Sequence, residues 1–338
     1  MRQVRIPASF DLDELAPVEV AEPSAPGPGE VLLRMEAVAL NFRDLMVATG
    51  QDRWRPPPGR VPCSDGVGVV EQLGQGVTRF ARGDRVMTSI LPRWISGPLT
   101  DEKRAGGLGG PAADGVLSER IVLSAEGLVR APERLDALQA STLPTAALTA
   151  WHALTRAEAL RPGSTILTGG SGGVSLFAIQ LAHAAGARVI ATTSDDAKSS
   201  LLRRLGAAAV VNYRSRQDWA EDVLALTGGR GVDLAIDIGG AASLGESIRA
   251  TAMGGTVSVV GLVGGLEATI NLAELFQRNL RIDGIETGSR TMLEDLIEWI
   301  EHRHIQPVID RTFTLDQTAA AFRHLQSGRH VGKVCIAI

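Results

Sequence analysis

A glycine-rich turn at residues 169–173 carries the residue types and spacing best suited to hold an anion. It follows the short apolar run 165–168 and precedes a segment whose apolar residues recur every three or four positions. Glycines let a backbone approach a phosphate closely, and a helix start offers N–H groups and a positive dipole end. We therefore expect a dinucleotide pyrophosphate here, bound by Gly170, Ser171, Gly172, Gly173 and Val174.

The turn departs from the common G-x-G-x-x-G fingerprint at one position. Ser175 stands where the fingerprint has a third glycine or an alanine. A tight strand-to-helix turn without any ligand is the structural alternative. The succession of strand, turn and helix favours the dinucleotide interpretation.

The end of the next strand bears on the choice of cofactor. Units that bind NAD usually carry an acidic residue there, about twenty residues after the turn, to accept the ribose 2′-hydroxyl. Thr193 and Ser194 occupy this place, and Lys198 lies one helical turn further, where it could meet a 2′-phosphate. Asp195 and Asp196 could bind ribose, but helix capping is the favoured interpretation. The sequence therefore predicts NADP(H).

The elements that position these residues alternate regularly from residue 165 onward. Predicted strands at 165–168, 187–193, 208–212, 232–237 and 255–260 are separated by helical patterns at 172–185, 196–205, 217–226 and 242–251. This order predicts a doubly wound parallel sheet that binds ligands at the carboxyl ends of its strands. Ile282–Ile285 would extend the sheet.

The flanking segments have a different character. Residues 1–125 are predicted to be β-rich, with a strand at 116–123 and no helix beyond a short turn after Asn41. A long glycine- and proline-rich loop covers 96–115, and a helical pattern covers 139–160. The tail after residue 293 alternates helix, strand, helix and strand, and we expect it to pack on the first lobe.

Composition limits the classes of function. With a net charge of −4 over 338 residues, the chain has no electrostatic reason to bind nucleic acid or an anionic membrane. No apolar run is long enough to span a bilayer, and the first ten residues lack a signal-peptide core, so we expect a cytoplasmic protein. Two cysteines cannot form a disulfide framework or a four-cysteine metal site.

Several motifs in order along the chain resemble the medium-chain dehydrogenase/reductase superfamily. Besides the glycine turn they are LNFRDLM (40–46), SDGVGVV (64–70), GVTRFARGDRV (76–86), DGVLSERIVL (114–123), LPTAALTAWHAL (143–154), GSR (288–290) and GRHVGKV (328–334). The resemblance implies an α/β fold in which a GroES-like β-rich catalytic domain contains an inserted Rossmann domain. The implied boundaries are 1–147 for the first part of the catalytic domain, 148–286 for the Rossmann domain and 287–338 for the return. The cleft between the domains would hold nicotinamide and substrate.

The superfamily contains zinc alcohol dehydrogenases and zinc-free quinone or enoyl reductases, and the resemblance places this chain with the second group. Catalytic zinc requires three protein ligands, typically cysteine, histidine and cysteine or glutamate. By motif, Asn41, Ser64 and Thr145 occupy those positions, and the structural-zinc segment 96–115 contains no cysteine. We therefore expect no metal.

The resemblance also implies roles for individual residues. The candidate catalytic residues are Asn41, Arg43, Asp44 and Thr145. The residues implied to flank the cofactor are Gly261, Leu262, Val263, Ile285 and Thr287, and Lys333 would approach its phosphates. Structural alternatives stay open. Arg43 and Asp44 could fix the turn after Asn41 together with Asp65, Thr145 could satisfy a nearby carbonyl, and Lys333 could be a solvated cation.

The function expected from these observations is NADPH-dependent, zinc-independent hydride transfer to a small quinone or conjugated carbonyl. Alcohol and aldehyde oxidoreduction is the first alternative. Enoyl reduction is weakened, because Leu262 and Gly288 stand where enoyl reductases carry proposed proton donors. A cofactor-binding sensor without catalysis is the alternative from another class. Exposed-looking strands at 255–260 and 282–285 favour a homodimer.

Overall fold

The computed structural model describes residues 1–338 and divides into two compact units. Unit 1 comprises Met1–Leu148 and Thr287–Ile338, whereas unit 2 comprises Thr149–Glu286. Unit 2 is therefore continuous in sequence, and unit 1 is assembled from the two segments on either side of it.

Strands supply the two main sheets and one small hairpin-like pair. They are β1 Arg2–Val4, β2 Pro17–Glu19, β3 Glu30–Ala39, β4 Asp65–Leu73, β5 Arg85–Thr88, β6 Arg120–Ser124, β7 Leu128–Arg130, β8 Thr165–Gly169, β9 Arg188–Thr193, β10 Ala207–Asn212, β11 Val232–Asp237, β12 Thr251–Val259, β13 Arg281–Gly284, β14 Ile309–Thr314 and β15 Lys333–Ala337.

The helices of unit 2 follow its strands regularly, whereas the longest helix, α10, belongs to unit 1. They are α1 Phe42–Ala48, α2 Asp101–Arg104, α3 Ala137–Ser141, α4 Leu148–Arg156, α5 Gly173–Ala184, α6 Ser199–Arg204, α7 Trp219–Leu226, α8 Leu244–Ala250, α9 Leu272–Gln277, α10 Arg290–Arg303 and α11 Thr318–Gln326. No helix is both long and apolar enough to cross a bilayer.

Unit 1 is built around a sheet of seven strands. Its order is β14-β15-β3-β4-β5-β7, and β6 also pairs with β3. Only β14 and β15 run parallel, and the other neighbours are antiparallel. Leu33 and Met35 of β3 pack in one buried core with Phe322 of α11 and Ile336 of β15. This packing confirms that the tail returns to the first lobe.

Unit 2 is a parallel sheet of six strands in the order β10-β9-β8-β11-β12-β13. Leu167, Ile190 and Val257 of its strands are buried in one core with helix residues such as Val223. The chain runs outward from β8 to β10 and then from β11 to β13, so the direction reverses between β8 and β11. All carboxyl ends lie at one edge, as the predicted doubly wound fold requires.

Several elements predicted for the flanking segments differ from the structure. The loop predicted at 96–115 contains the four-residue helix α2, where no helix was expected. A seven-residue helix, α1, replaces the short turn predicted after Asn41, because the Asp44 carboxylate accepts a hydrogen bond from the Asn41 N–H and caps it. The strand predicted at 116–123 is confined to β6, since the Val116 N–H bonds instead to the carbonyls of Pro62 and Cys63.

The helix predicted over 139–160 is divided into three parts. Residues 143–147 form a π-helical turn between α3 and α4. Pro144 lies in this turn, and a proline without an N–H group interrupts the regular helical ladder. Thr145, one of the predicted catalytic residues, lies within this turn.

Candidate active site

The glycine turn joins β8 to α5 in unit 2. Gly170 has a φ of +81°, a left-handed conformation that favours glycine. Ser175 is buried, and its hydroxyl donates a hydrogen bond to the carbonyl of Gly169 at the end of β8. The serine therefore braces the turn from inside, which explains how this position can differ from glycine or alanine.

Open space lies beside the turn. A Cβ added to Gly170 or Gly172 would have no heavy atom within 4 Å. By contrast, a Cβ at Gly261 would overlap the carbonyl oxygen of Ile238. The twelve-residue helix α5 begins at Gly173, and the first N–H groups of any helix have no partner within it. The turn thus fits the predicted pyrophosphate.

Ser171 and Lys198 meet across the carboxyl edge of the unit 2 sheet. The Lys198 Nζ donates to the Ser171 Oγ at 3.2 Å, although the two residues are 27 positions apart. This contact brings the glycine turn and the segment after β9 together. A cation therefore lies beside the turn at the end of β9, where the sequence predicts the 2′-phosphate.

The other residues at the end of β9 are less available to a ligand. The Thr193 hydroxyl is buried, accepts from the Asp195 N–H at 3.2 Å and donates to the Asp195 carbonyl at 3.1 Å. The Asp195 carboxylate accepts from the Ala197 N–H at 3.0 Å, which confirms the capping interpretation. Ser194 is half-buried beside them.

Most of the predicted cofactor-flanking residues follow β12 and β13, in the other half of the same sheet. Gly261, Leu262 and Val263 follow β12, where the Gly261 N–H donates to the Asp237 carbonyl at 3.2 Å. Ile285 follows β13 and continues its ladder. Thr287 belongs to unit 1, and its hydroxyl donates to the Pro144 carbonyl at 3.4 Å. Their contacts with nicotinamide stay predictions.

In unit 1, Asn41 is bound to a buried lysine. Lys333, at the start of β15, is only 4% exposed, which rules out the solvated-cation interpretation. Its Nζ donates to the Asn41 Oδ1 and to the Leu40 carbonyl, both at 2.6 Å. The ammonium thus joins β15 to the end of β3, and its predicted approach to cofactor phosphates stays a prediction.

Thr145 is bound to a fully buried carboxylate. The Asp65 Oδ1 accepts from the Thr145 hydroxyl at 2.6 Å and from the Ser64 hydroxyl at 2.7 Å, while Oδ2 accepts from the Thr145 N–H at 3.0 Å. The structural alternative expected the Thr145 hydroxyl to bind a backbone carbonyl. It binds the Asp65 carboxylate instead. Asp65 fixes the π-helical turn against β4.

Arg43 and Asp44 form the pair that the structural alternative expects, but Asp65 binds Ser64 and Thr145 instead of joining them. The Arg43 guanidinium donates to the Leu108 carbonyl at 2.7 Å and lies 3.8 Å from the Asp44 carboxylate. Asp44 is fully buried, and its second oxygen has no hydrogen-bond partner. These contacts anchor α1, and a catalytic role for either residue stays a prediction.

The burial of Asp44 leads to a testable pH dependence. Loss of hydration raises the pKa of its carboxyl from 3.8 to about 6, with Arg43 opposing the rise. The native chain therefore keeps a proton that the unfolded chain releases between these values, so stability from this group falls as pH rises through them. Relative to Asp44→Asn, the free energy of unfolding should fall by about 2 kcal/mol from about pH 4.5 to pH 7. Urea unfolding of both proteins at both pH values measures this difference. An equal change in the free energy of unfolding in the two proteins would contradict the prediction.

Two residues near the carboxyl edge of the sheet are absent from the sequence predictions. Tyr213, the only tyrosine, directly follows β10, is 40% exposed and donates its N–H to the Thr193 carbonyl. Asp237 ends β11, is buried, and accepts from the Gly240 N–H and the hydroxyls of Ser243 and Ser247. Both stand at the carboxyl end of a predicted strand, and this position could have marked them in the sequence as candidate site residues.

Similarity to known proteins agrees with this geometry. Residues 27–133 match the alcohol dehydrogenase GroES-like domain family, and residues 173–302 match the zinc-binding dehydrogenase family. A zinc-type alcohol dehydrogenase-like protein of Schizosaccharomyces pombe is 38% identical over 332 residues, which cover 96% of each chain. The chain belongs to the medium-chain dehydrogenase/reductase superfamily.

Other members of the superfamily are similar over almost the same length. The quinone oxidoreductase of Pseudomonas aeruginosa is 33% identical over 328 residues, which cover 93% of each chain. A crystal structure of an NAD-dependent alcohol dehydrogenase is 34% identical, with a TM-score of 0.91 over 100% of both chains. This superfamily member is therefore an NAD(P)-dependent oxidoreductase related to alcohol dehydrogenases and quinone oxidoreductases.

The residues of this superfamily member do not fit catalytic zinc. By motif resemblance, Asn41, Ser64 and Thr145 stand where zinc enzymes use thiolate, imidazole or carboxylate, and they supply an amide and two hydroxyls. The Lys333 ammonium binds the Asn41 side chain, and a second cation there would be repelled. Both cysteines are buried, and burial raises the pKa of the Cys63 thiol well above its ordinary value and that of Cys335 to about 11. No three histidine, cysteine, aspartate or glutamate side chains are grouped to hold a metal.

Proposed function

We propose that this chain is an NADPH-dependent reductase that transfers hydride to a quinone or a conjugated carbonyl without zinc. The observation that carries the proposal is the hydrogen bond from the Lys333 ammonium to the Asn41 Oδ1, at the first of the zinc-ligand positions. The side chain at this position therefore binds a fixed lysine ammonium instead of a metal ion. Substrates with a strongly electrophilic acceptor suit such a site, because they need less help from a Lewis acid.

The residues of unit 2 support binding of NADP(H). The glycine turn and the start of α5 would hold the pyrophosphate, and nicotinamide supplies the hydride when the cofactor is bound. No acidic side chain is the last residue of β9, and Ser194 and Lys198 offer a hydroxyl and a cation for a 2′-phosphate. The exposed ring of Tyr213 would pack near the same end of the cofactor.

The residues of unit 1 support a role in orienting the acceptor. Asn41 supplies an amide N–H, and Asp65 holds Thr145 rigidly in the π-helical turn. Without a metal, catalysis depends on placing donors where negative charge develops on the acceptor oxygen. A polar cluster whose side chains are already fixed, as Thr145 is by Asp65, meets this requirement better than a flexible one.

Oxidation or reduction of simple alcohols and aldehydes is the second candidate. It is favoured by the similarity to proteins that are called alcohol dehydrogenases. Those reactions require strong polarisation of an unactivated carbonyl. In zinc enzymes, the zinc ion supplies this polarisation. Metal analysis separates the candidates: one tightly bound zinc per chain, with activity lost to chelators, would exclude our proposal.

A screen of NADPH oxidation tests the proposed function directly. The purified chain is assayed with quinones, enones and aldehydes after treatment with EDTA, and NADH is used in parallel. We expect the fastest turnover with a quinone or an enone, NADPH preferred over NADH, and no effect of EDTA. Turnover of aldehydes alone would contradict the substrate class, and a consistent preference for NADH would contradict the cofactor.

The proposal includes a homodimer formed through unit 2. The expectation that residues 255–260 form an exposed strand is wrong, because β12 lies between β11 and β13 and its residues 256–258 are buried. β13, which contains residues 282–284, is an edge strand whose outer side has no neighbouring strand in the sheet. Large apolar side chains of the same unit are exposed, including Met253 at 75%, Leu272 at 70% and Phe276 at 68%. Apolar surface of this kind favours a protein partner. Sedimentation of the purified chain as a monomer at micromolar concentration would contradict the dimer.

A further inference from the structure

The side-chain amide of Asn41 has one bound end and one end without a partner. Its Oδ1 accepts from the Lys333 Nζ at 2.6 Å. Its Nδ2 is shielded from solvent and makes no hydrogen bond within the chain. A buried donor without a partner is unfavourable, so such a group in a native protein calls for an explanation.

The lysine determines which end of the amide is free. An ammonium group only donates hydrogen bonds, so it must face the oxygen of the amide and not the nitrogen. Lys333 is itself fixed, because it is 4% exposed and its Nζ also donates to the Leu40 carbonyl at 2.6 Å. Rotation of the Asn41 amide by half a turn would place N–H groups against N–H groups.

We propose that Lys333 is a positioning residue that holds the Asn41 Nδ2 as a donor for the carbonyl oxygen of the hydride acceptor. This inference rests on the proposed function and identifies how the site binds its substrate class. When hydride adds to the acceptor, an electron pair moves onto that oxygen. A donor already oriented there stabilises the charge without reorganisation, whereas an amide free to rotate presents its oxygen part of the time.

A different role for Lys333 makes opposite predictions. If the lysine bound cofactor phosphate directly, its removal would weaken NADPH binding whether or not Asn41 were present. In the proposed role, removal acts only through Asn41 and affects turnover. Because the Lys333 Nζ already makes two short hydrogen bonds within unit 1, the structure favours the positioning of Asn41 over phosphate binding.

Steady-state kinetics of Lys333→Met in two backgrounds tests this role. We expect kcat for the best acceptor to fall about tenfold, with the Kd for NADPH within about twofold of the unmodified protein. Asn41→Leu should lower kcat at least about tenfold, and Lys333→Met added to it should cause little further loss. Lys103→Met is the matched control, since the half-buried Lys103 also donates to two carbonyls and should leave kcat unchanged. Equal losses in both backgrounds, or a raised Kd with kcat unchanged, would overturn the proposal.

Nuclear magnetic resonance tests the orientation without any turnover. The chain contains four asparagines, at 41, 212, 271 and 279, so selective ¹⁵N-asparagine labelling gives four side-chain amide pairs. Loss of one pair in Asn41→Leu assigns Asn41. That pair should shift in Lys333→Met and stay in place in Lys103→Met. An unshifted pair would overturn the proposal even if the reductase activity is confirmed, and a shifted pair supports it even if no acceptor is turned over. If Lys333→Met is unstable, Lys333→Gln serves, because it removes the ammonium charge beside the Asn41 Oδ1, so the Asn41 pair should shift there as well.

Discussion

Gly172→Val should weaken NADPH binding at least about 100-fold while leaving the fold intact. The substituted side chain would enter the open space beside the glycine turn, where we expect the pyrophosphate. Two charge-assisted hydrogen bonds from the backbone to phosphate contribute about 1.5–3 kcal/mol each, and their loss corresponds to this factor. Gly172 has a φ of −77°, so valine meets no backbone strain.

The matched control for this substitution is Gly245→Val in α8. Gly245 is exposed, and a Cβ there would also have no heavy atom within 4 Å, so the two substitutions differ mainly in their place in unit 2. Calorimetric titration with NADPH gives both affinities, and circular dichroism checks the fold. If both variants bind NADPH within about threefold of the unmodified chain, the pyrophosphate does not lie at the turn.

Asp65→Ala should lower the free energy of unfolding by about 4 kcal/mol. The substitution removes the acceptor of three donors, which are the Thr145 N–H, the Thr145 hydroxyl and the Ser64 hydroxyl. Loss of hydrogen bonds to a buried charged group costs about 1.5–3 kcal/mol each, although the hydroxyls can recover part of this by rotating. Urea unfolding followed by tryptophan fluorescence measures the change.

Two conservative variants separate geometry from charge at Asp65. In Asp65→Asn the amide oxygen can still accept from the Thr145 N–H, while its nitrogen donates to the two hydroxyl oxygens, so we expect a loss of only about 1 kcal/mol. Thr145→Val removes one hydroxyl and keeps the N–H bond, with an expected loss of about 1–2 kcal/mol. An asparagine variant as unstable as the alanine variant would show that negative charge, not hydrogen-bond geometry, holds the turn.

The sequence predicted unit 2 well because its elements are determined locally. Each predicted strand corresponds to an observed one, and 232–237 agrees at both ends. The glycine turn was identifiable because its glycines stand directly between an apolar strand and a periodic helix. Even the departure at Ser175 has a local cause, since its hydroxyl reaches a carbonyl only six positions earlier.

The candidate site in unit 1 could not be predicted to the same degree. Its contacts join Asn41 to a residue 292 positions away and Thr145 to one 80 positions away, and no local pattern encodes such distances. Lysine is rarely buried, so the sequence favoured solvent or phosphate for Lys333 until the structure supplied its partners. Motif resemblance gave the positions of Asn41 and Thr145 but not what they bind.

The place of β15 in the sheet has a consequence for synthesis on the ribosome. β15 lies between β14 and β3, and its Lys333 supplies the ammonium bound to Asn41. Unit 2 is continuous and can fold as soon as it emerges, whereas β3 keeps part of one edge unpaired until residues 333–337 have been translated. A nascent chain can therefore complete unit 2 early, while unit 1, with its hydrogen bond between Lys333 and Asn41, is assembled last.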